Sequence, residues 1–169
     1  MCAREIHGVD MLIGIISDSH GEVARTRRAM KQLVEYGCKK FIHLGDVEII
    51  EVLDELIGLD VLLVFGNCDW GVSLHEYAVN VGIDVRDGSD VLHVDGKRIA
   101  FLHGHDEKKY YDFLDDRVDY LLHGHTHEKR DELVNKTRCI NPGALHRAAV
   151  YTVAVLDPSV DTLVFLEVE

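Results

Sequence analysis

The chain has 169 residues, 47% hydrophobic and 28% charged, with a formal charge of −12, which suits one ordinary globular domain large enough to bury a core. That negative charge, with no basic cluster longer than a pair or triplet, would repel a long duplex and argues against a stable nucleic-acid complex. A small anionic substrate stays open to it if cations, metals included, invert the field inside one pocket.

The predicted elements follow in chain order. Residues 1–10 (MCAREIHGVD) lack an apolar core and are expected to be a flexible extension, with a single domain over residues 11–169. LIGIIS (12–17) reads as a buried strand. Residues 22–36 place Val23, Ala29, Met30, Leu33 and Val34 near one face, an amphipathic helix stopped by Gly37. KFIHL (40–44) is a second strand, EIIEVLDELI (48–57) a second helix stopped by Gly58, and VLLVF (61–65) a third strand. Strands alternating with helices over short links imply parallel crossovers.

After residue 76 the pattern shortens. VNVGIDV, DVLHVDG and KRIAFLH read as short strands, with Asp95-Gly96 as a hairpin turn. KKYYDFLDDR (108–117) is expected to be helical and VDYLLH (118–123) extended. DELVNKTRCINPG predicts a hairpin turning at Asn135-Lys136, and the chain closes with two strands joined at Asp157-Pro158-Ser159. The sum is one strand-rich α/β domain with two packed sheets and helices outside. No apolar run approaches the roughly 18 residues of a membrane span. Cys2, Cys38, Cys68 and Cys139 are isolated from one another, against a disulfide framework and in keeping with a reducing cytoplasm.

Functional residues of parallel sheets gather beyond the carboxyl ends of strands. Here SDSHG, LGDVE, FGNCDWG, LHGHD and LLHGHTH each follow a strand, and each carries Asp, Asn or His beside a glycine. Singly, each fits a turn or a surface histidine. Together they bring oxygen and imidazole donors to one sheet edge, and these suit divalent transition metals.

Asp18-x-His20, Gly45-Asp46, Gly66-Asn67, His103-Gly104-His105 and Gly124-His125-Thr126-His127 follow in order the signature of the calcineurin-like metallophosphoesterases. The GNCD form and short length resemble the small single-domain prokaryotic phosphodiesterases, and Asn141-Pro142-Gly143 is similar to a further turn of that subgroup. The resemblance implies a four-layer αββα sandwich, two mixed β-sheets flanked by helices, with a dinuclear metal centre. It implies that Asp18, His20 and His127 hold one divalent ion, that Asn67, His103 and His125 hold a second, and that Asp46 bridges them. Mn²⁺ is the first expectation, with Ni²⁺, Fe or Zn²⁺ tolerated by the same donors. His125 and His127 would point the same way from an extended segment. Two metals about 3.5–4 Å apart clamp phosphate oxygens and lower the pKa of a shared water, so that a metal-bridging hydroxide attacks phosphorus.

Many relatives carry histidine after Gly-Asn, where this chain has Cys68 followed by Asp69. A thiol is a poor substitute for an imidazole that titrates near neutrality. Asp46, Cys68, Asp69 and His105 are therefore the candidate catalytic residues, with His105 as a substitute helper and a preference for good leaving groups. His123 is read as packing, His43 as a support for the site, and His7, His75, His93 and His146 as surface or turn residues. Trp70 is read as packing or as lining a substrate pocket. The expected activity is hydrolysis of small phosphodiesters, nucleotides or cyclic nucleotides among them, by a cytoplasmic enzyme without membrane partners. A homodimer through late strand edges is compatible with this reading. The alternatives are a phosphomonoesterase or phosphoprotein phosphatase, and a non-catalytic scaffold resembling a eukaryotic retromer subunit.

Overall fold

A computed structural model describes residues 11–169; the expected extension over residues 1–10, with Cys2 and His7, lies outside the described residues. The first strand, β1 (Ile13–Ile16), shows why the fold is layered. Successive side chains point to opposite faces, and both faces of β1 are apolar and buried. Ile13 and Ile15 enter one core and Ile16 another, so β1 must have cover on both sides.

α1 (Val23–Tyr36), β2 (Lys40–His43), α2 (Ile50–Asp54), β3 (Val61–Val64), α3 (Val72–Asn80) and β4 (Asp84–Arg86) follow β1. Next come β5 (Ser89–Val94), β6 (Lys97–Leu102), α4 (Glu107–Asp115), β7 (Tyr120–Leu122), β8 (Arg130–Val134) and β9 (Thr137–Asn141), and β10 (Thr152–Asp157) and β11 (Thr162–Glu167) close the chain. They form a six-stranded sheet in the order β11-β10-β1-β2-β3-β4 and a five-stranded sheet in the order β5-β6-β7-β9-β8. In the first, β1 to β4 run parallel, β10 pairs antiparallel with β1, and β11 antiparallel with β10. β6, β7 and β9 run parallel in the second, between two hairpin edges.

The inter-sheet core joins Ile13, Ile15, Ile42, Leu62 and Val64 to Ile99, Phe101, Tyr120, Leu122 and Ile140. On the outer face of the first sheet, Ile16, Phe41 and Leu63 meet Ala29, Met30 and Leu33 of α1, Val52 and Leu53 of α2, and Leu74 and Ala78 of α3. On the outer face of the second, Ala100, Leu102, Leu121 and Cys139 meet Leu114 of α4. The architecture is the expected four-layer αββα sandwich. Among the described residues no helix is long and apolar enough to cross a membrane.

Both hairpins form as expected: Val94 pairs with Lys97 across Asp95-Gly96, and Val134 with Thr137 across Asn135-Lys136. Three expectations are corrected. The second helix spans only Ile50–Asp54, not 48–57. Glu48 has φ +69°, which no right-handed helix accommodates, and residues 55–57 tighten into three-residue turns through Glu55, Leu56 and Ile57. VNVGIDV is not a strand throughout: Val79 and Asn80 end α3, and only Asp84–Arg86 is extended. Ile83 N–H donates to the Ala78 carbonyl and Gly82 N–H to that of Val79, a six-to-one and five-to-two pair that closes a helix. Val34 is exposed rather than part of the apolar face of α1, which buries Thr26 in its place.

Phe101 is fully buried between the sheets. Phe101→Ala is expected to lower unfolding free energy by about 3–5 kcal/mol, read as a reduced urea midpoint with an unchanged slope.

Candidate metal centre

Parallel strands place their carboxyl ends at one edge, and the backbone ties the loops leaving them. Asp18 N–H donates to the Gly45 carbonyl (3.0 Å), His20 N–H to that of Asp46 (2.8 Å), and Gly124 N–H to that of His103 (2.7 Å). Contacts also cross between the sheets, among them His103 Nδ1 to the Leu44 carbonyl (2.7 Å) and His125 N–H to Asp18 Oδ2 (3.1 Å). Glycine is required where these loops touch. A Cβ at Gly124 would lie 1.9 Å from Ser17 Oγ, and one at Gly66 2.1 Å from Asp46 Oδ1.

Asp18, His20, Asp46, His125 and His127 all have positive φ, between 40° and 68°. Each such residue costs of order 1–3 kcal/mol and persists only where its surroundings over-determine it. His125 and His127 therefore do not lie in an extended segment as expected; a left-handed turn at each sends the two rings apart. The His127 ring lies by His20, with centroids 5.0 Å apart, and the His125 ring by His103, at 5.2 Å.

Lone pairs crowd this edge. Asp18 is fully buried; its Oδ2 accepts from Ser17 Oγ (2.5 Å) and His125 N–H, while its Oδ1 has no hydrogen-bond partner. That orphan oxygen stands 3.2 Å from His127 Nε2 and 3.9 Å from His20 Nε2. His20 is hydrogen-bonded through Nδ1 to the Glu48 carboxylate (2.7 Å), which leaves Nε2 as its lone pair, 3.1 Å from His127 Nε2 and 3.4 Å from Asp46 Oδ2. His103 donates Nδ1–H to the Leu44 carbonyl, and its Nε2 faces Asp46 Oδ2 at 3.3 Å and Asn67 Oδ1 at 3.1 Å. A carboxylate–histidine pair of this kind is the usual support for a metal-binding imidazole. Carboxylate, amide oxygen and imidazole nitrogen aimed at one another repel unless a cation lies among them, and this donor set fits divalent metals. Two sets of ligand atoms close enough to share an ion are Asp18, His20 and His127, and Asp18, Asp46 and His103; a third is His20, Asp46 and Cys68. Asn67 adjoins the second set through its Oδ1 contact to His103.

The electrostatics agree with this crowding. Burial works against the Asp46 carboxylate, but the approach of His103 and the N–H of Cys68 outweigh it and hold its pKa below the ordinary carboxylate range. Burial also works against charging His103, yet Asp46 and the Asp18 charge raise its pKa. Burial, then the charges of His103 and His125, depress the exposed His105, whose ring centroid is 5.4 Å from that of His103.

Cys68 and Asp69 play unlike parts. Burial and the Asp46, Glu48 and Asp69 carboxylates push the Cys68 thiol up to about 11, so it stays protonated, with Asn67 Nδ2 donating to its sulfur at 3.4 Å. Asp69 does not reach toward it. The Asp69 carboxylate instead accepts the backbone N–H groups of Asp46, Val47, Glu48 and Gly66 at 2.7–2.8 Å, lashing the Gly-Asp loop to the Gly-Asn loop.

Among the other side chains, His43 and His123 agree with their sequence reading, and His146 and Trp70 differ from it. His43 is fully buried. It accepts Gly45 N–H at Nδ1 (3.1 Å), so its Nε2–H donates to Ser19 Oγ (2.6 Å), and burial holds its pKa down at about 3. His146 is not a plain surface residue: its ring stacks 5.1 Å from that of His20 and its Nδ1 meets Glu22 at 3.2 Å. His123 is buried, edge-on to Tyr110 at 5.3 Å. Trp70 does not pack; it is 84% exposed. The sequence reading missed Glu48, whose acidic side chain two residues after Asp46 was the available signal. It also gave no role to Asn141, whose buried amide donates to the Gly124 carbonyl (2.9 Å) and Thr126 Oγ1 (3.1 Å).

Comparison with known proteins agrees with this geometry. The model of the calcineurin-like phosphoesterase superfamily domain matches residues 11–161. Phosphodiesterase MJ0936 of Methanocaldococcus jannaschii is 27% identical over 154 residues, which cover 87% of this chain and 93% of that one. The structure of an archaeal phosphodiesterase superposes with a TM-score of 0.84 at 24% identity, over 93% of this chain and 99% of that one. Vps29 of Entamoeba histolytica, crystallised with Zn²⁺, superposes with a TM-score of 0.64 at 20% identity, over 93% and 99% of the two chains. At these identities the structural likenesses bear on the fold.

Asp69→Asn turns amide hydrogens toward N–H donors that now find an acceptor. It is expected to lower stability by about 2–4 kcal/mol, more than Asp→Asn at exposed Asp115, as measured by chemical denaturation of the metal-free protein.

Proposed function

The chain belongs to the calcineurin-like phosphoesterase superfamily, and on that premise we propose that it is a metal-dependent phosphodiesterase acting on small phosphodiesters. One observation carries the proposal: Asp46 Oδ2 lies between two imidazole lone pairs, His20 Nε2 at 3.4 Å and His103 Nε2 at 3.3 Å, the place of a carboxylate shared by two cations. In this reading Asp18, His20 and His127 would hold one divalent ion and Asn67, His103 and His125 the other, with Asp46 common to both. Manganese comes first, and nickel, iron or zinc suit the same donors. A metal pair there supplies Lewis-acid charge neutralisation on the phosphate and a water of lowered pKa.

The remaining work falls to the chain itself. Asp69, His43 and Asn141 hold the loops in their left-handed turns, which makes them positioning residues. Glu48 fixes the tautomer of His20, and the Leu44 carbonyl that of His103. The Cys68 thiol, its pKa pushed up to about 11, is a weaker general acid than an imidazolium, so diesters with good leaving groups are favoured. His105, kept neutral, is available to hydrogen-bond an ester oxygen. The likeness to Vps29 keeps a non-catalytic scaffold as the second reading, and turnover separates the two.

With Mn²⁺, the purified protein is expected to hydrolyse bis(p-nitrophenyl) phosphate faster than p-nitrophenyl phosphate, to stop on chelation and to recover on metal return. Asp46→Asn and His125→Ala are each expected to cut kcat on the order of a hundredfold or more, since even supporting residues around a metal are worth about 10–100-fold. Cys68→His is expected to raise monoester hydrolysis. Unchanged diester turnover in both ligand variants would refute the assignment.

A further inference from the structure

Trp70 is the single tryptophan of the chain and, at 84% exposed, the most exposed large apolar side chain among the described residues. Tryptophan is highly buried on average and carries a large apolar area, so a ring left in water calls for something that covers it. The residues just before it are tied to the site. Cys68 N–H donates to Asp46 Oδ1 at 2.8 Å, and the Asp69 carboxylate takes four N–H groups of the two metal loops. Immediately afterwards Gly71, at φ +100°, turns the chain into α3. The indole thus stands in water three residues beyond Asn67, between the loop that Asp69 pins and α3.

Other apolar side chains of these segments are exposed too: Val72, two residues on in sequence, is 72% exposed, and Ile49 and Ile50, where the pinned loop enters α2, are 37% and 41% exposed. Exposed His105 and His125 are on the loops that leave the second sheet. A ligand that meets both features needs an anionic phosphoryl group for the metal loops and a flat, uncharged π-face for the indole. A nucleoside phosphodiester has both. The −12 charge of the chain disfavours a long polyanion but not a mononucleotide. Resting on the phosphodiesterase reading above, we infer that Trp70 is a base-stacking platform at the rim of the metal centre. It selects nucleoside phosphodiesters over alkyl ones.

A lone tryptophan makes the test direct. Adenosine 5′-monophosphate, titrated into Zn²⁺-loaded protein, is expected to quench Trp70 emission saturably; ribose 5-phosphate is not, and excess inorganic phosphate reverses the quench. No saturable change, or the same change with ribose 5-phosphate, overturns the inference. In turnover, the preference for the p-nitrophenyl ester of thymidine 5′-phosphate over that of ethyl phosphate, compared as kcat/KM, is expected to fall about 5–150-fold in Trp70→Ala, the worth of one base stack. Trp70→Phe should retain most of it. A preference that does not move in Trp70→Ala overturns the inference, and so does an unmoved preference with a changed sedimentation mass, which would assign the ring to a contact between two copies. If the wild type cleaves neither ester, the phosphodiesterase reading fails, while the quenching titration still decides whether the base stacks.

Discussion

A carboxylate with two oxygens can accept about four hydrogen bonds, and Asp69 spends all of that capacity on backbone. Three of its partners, Asp46, Val47 and Glu48, are consecutive N–H groups of the loop after β2; the fourth, Gly66, begins the loop after β3. Consecutive N–H groups converge on one anion only where the backbone curls into a nest. Asp46 and Glu48 accordingly sit at φ +55° and +69°. The strained turn that presents the Asp46 carboxylate is therefore maintained by an anion the chain itself provides. From that clamp follow the position of Asp46 Oδ2 between two imidazoles, the bond from Cys68 N–H to Asp46 Oδ1, and the outward direction of Trp70.

The same economy governs the histidines. Two of the rings that face the centre have their far nitrogen occupied: His20 by Glu48, His103 by the Leu44 carbonyl. A ring so held can offer its near nitrogen only as a lone pair or as a site for a proton. With Asp18 Oδ1 buried and unpartnered beside them, the edge is short of positive charge in a chain that is already anionic. A divalent metal held among these donors would supply that charge.

The fold was legible because β-branched runs, glycine turns and the two hairpin signals all pointed to the same strands, and polar clusters followed the strands that end at the site. The helix α3 was not, because its apolar positions are few and Val79 and Val81 alternate as in a strand; packing of Leu74 and Ala78 under the first sheet decided the matter. In the site, side chains that face the centre could be picked from motif order. What holds them could not: Asp69 bonds backbone groups 21 to 23 residues away, His43 reaches Ser19 across 24, and His146 meets Glu22 across 124. Such partners leave no local pattern. Asp69 stood among the catalytic candidates, whereas its carboxylate is fully engaged with backbone N–H groups.

In the proposed centre one carboxylate, Asp46, would be shared by two cation sites, each drawing ligands from both sheets. Anomalous diffraction at the manganese edge, from crystals grown with Mn²⁺, tests it most directly. The account predicts two peaks per chain, one bounded by Asp18, His20 and His127, the other by Asn67, His103 and His125, with Asp46 reaching both. A single peak, or peaks that leave Asp46 untouched, would contradict it.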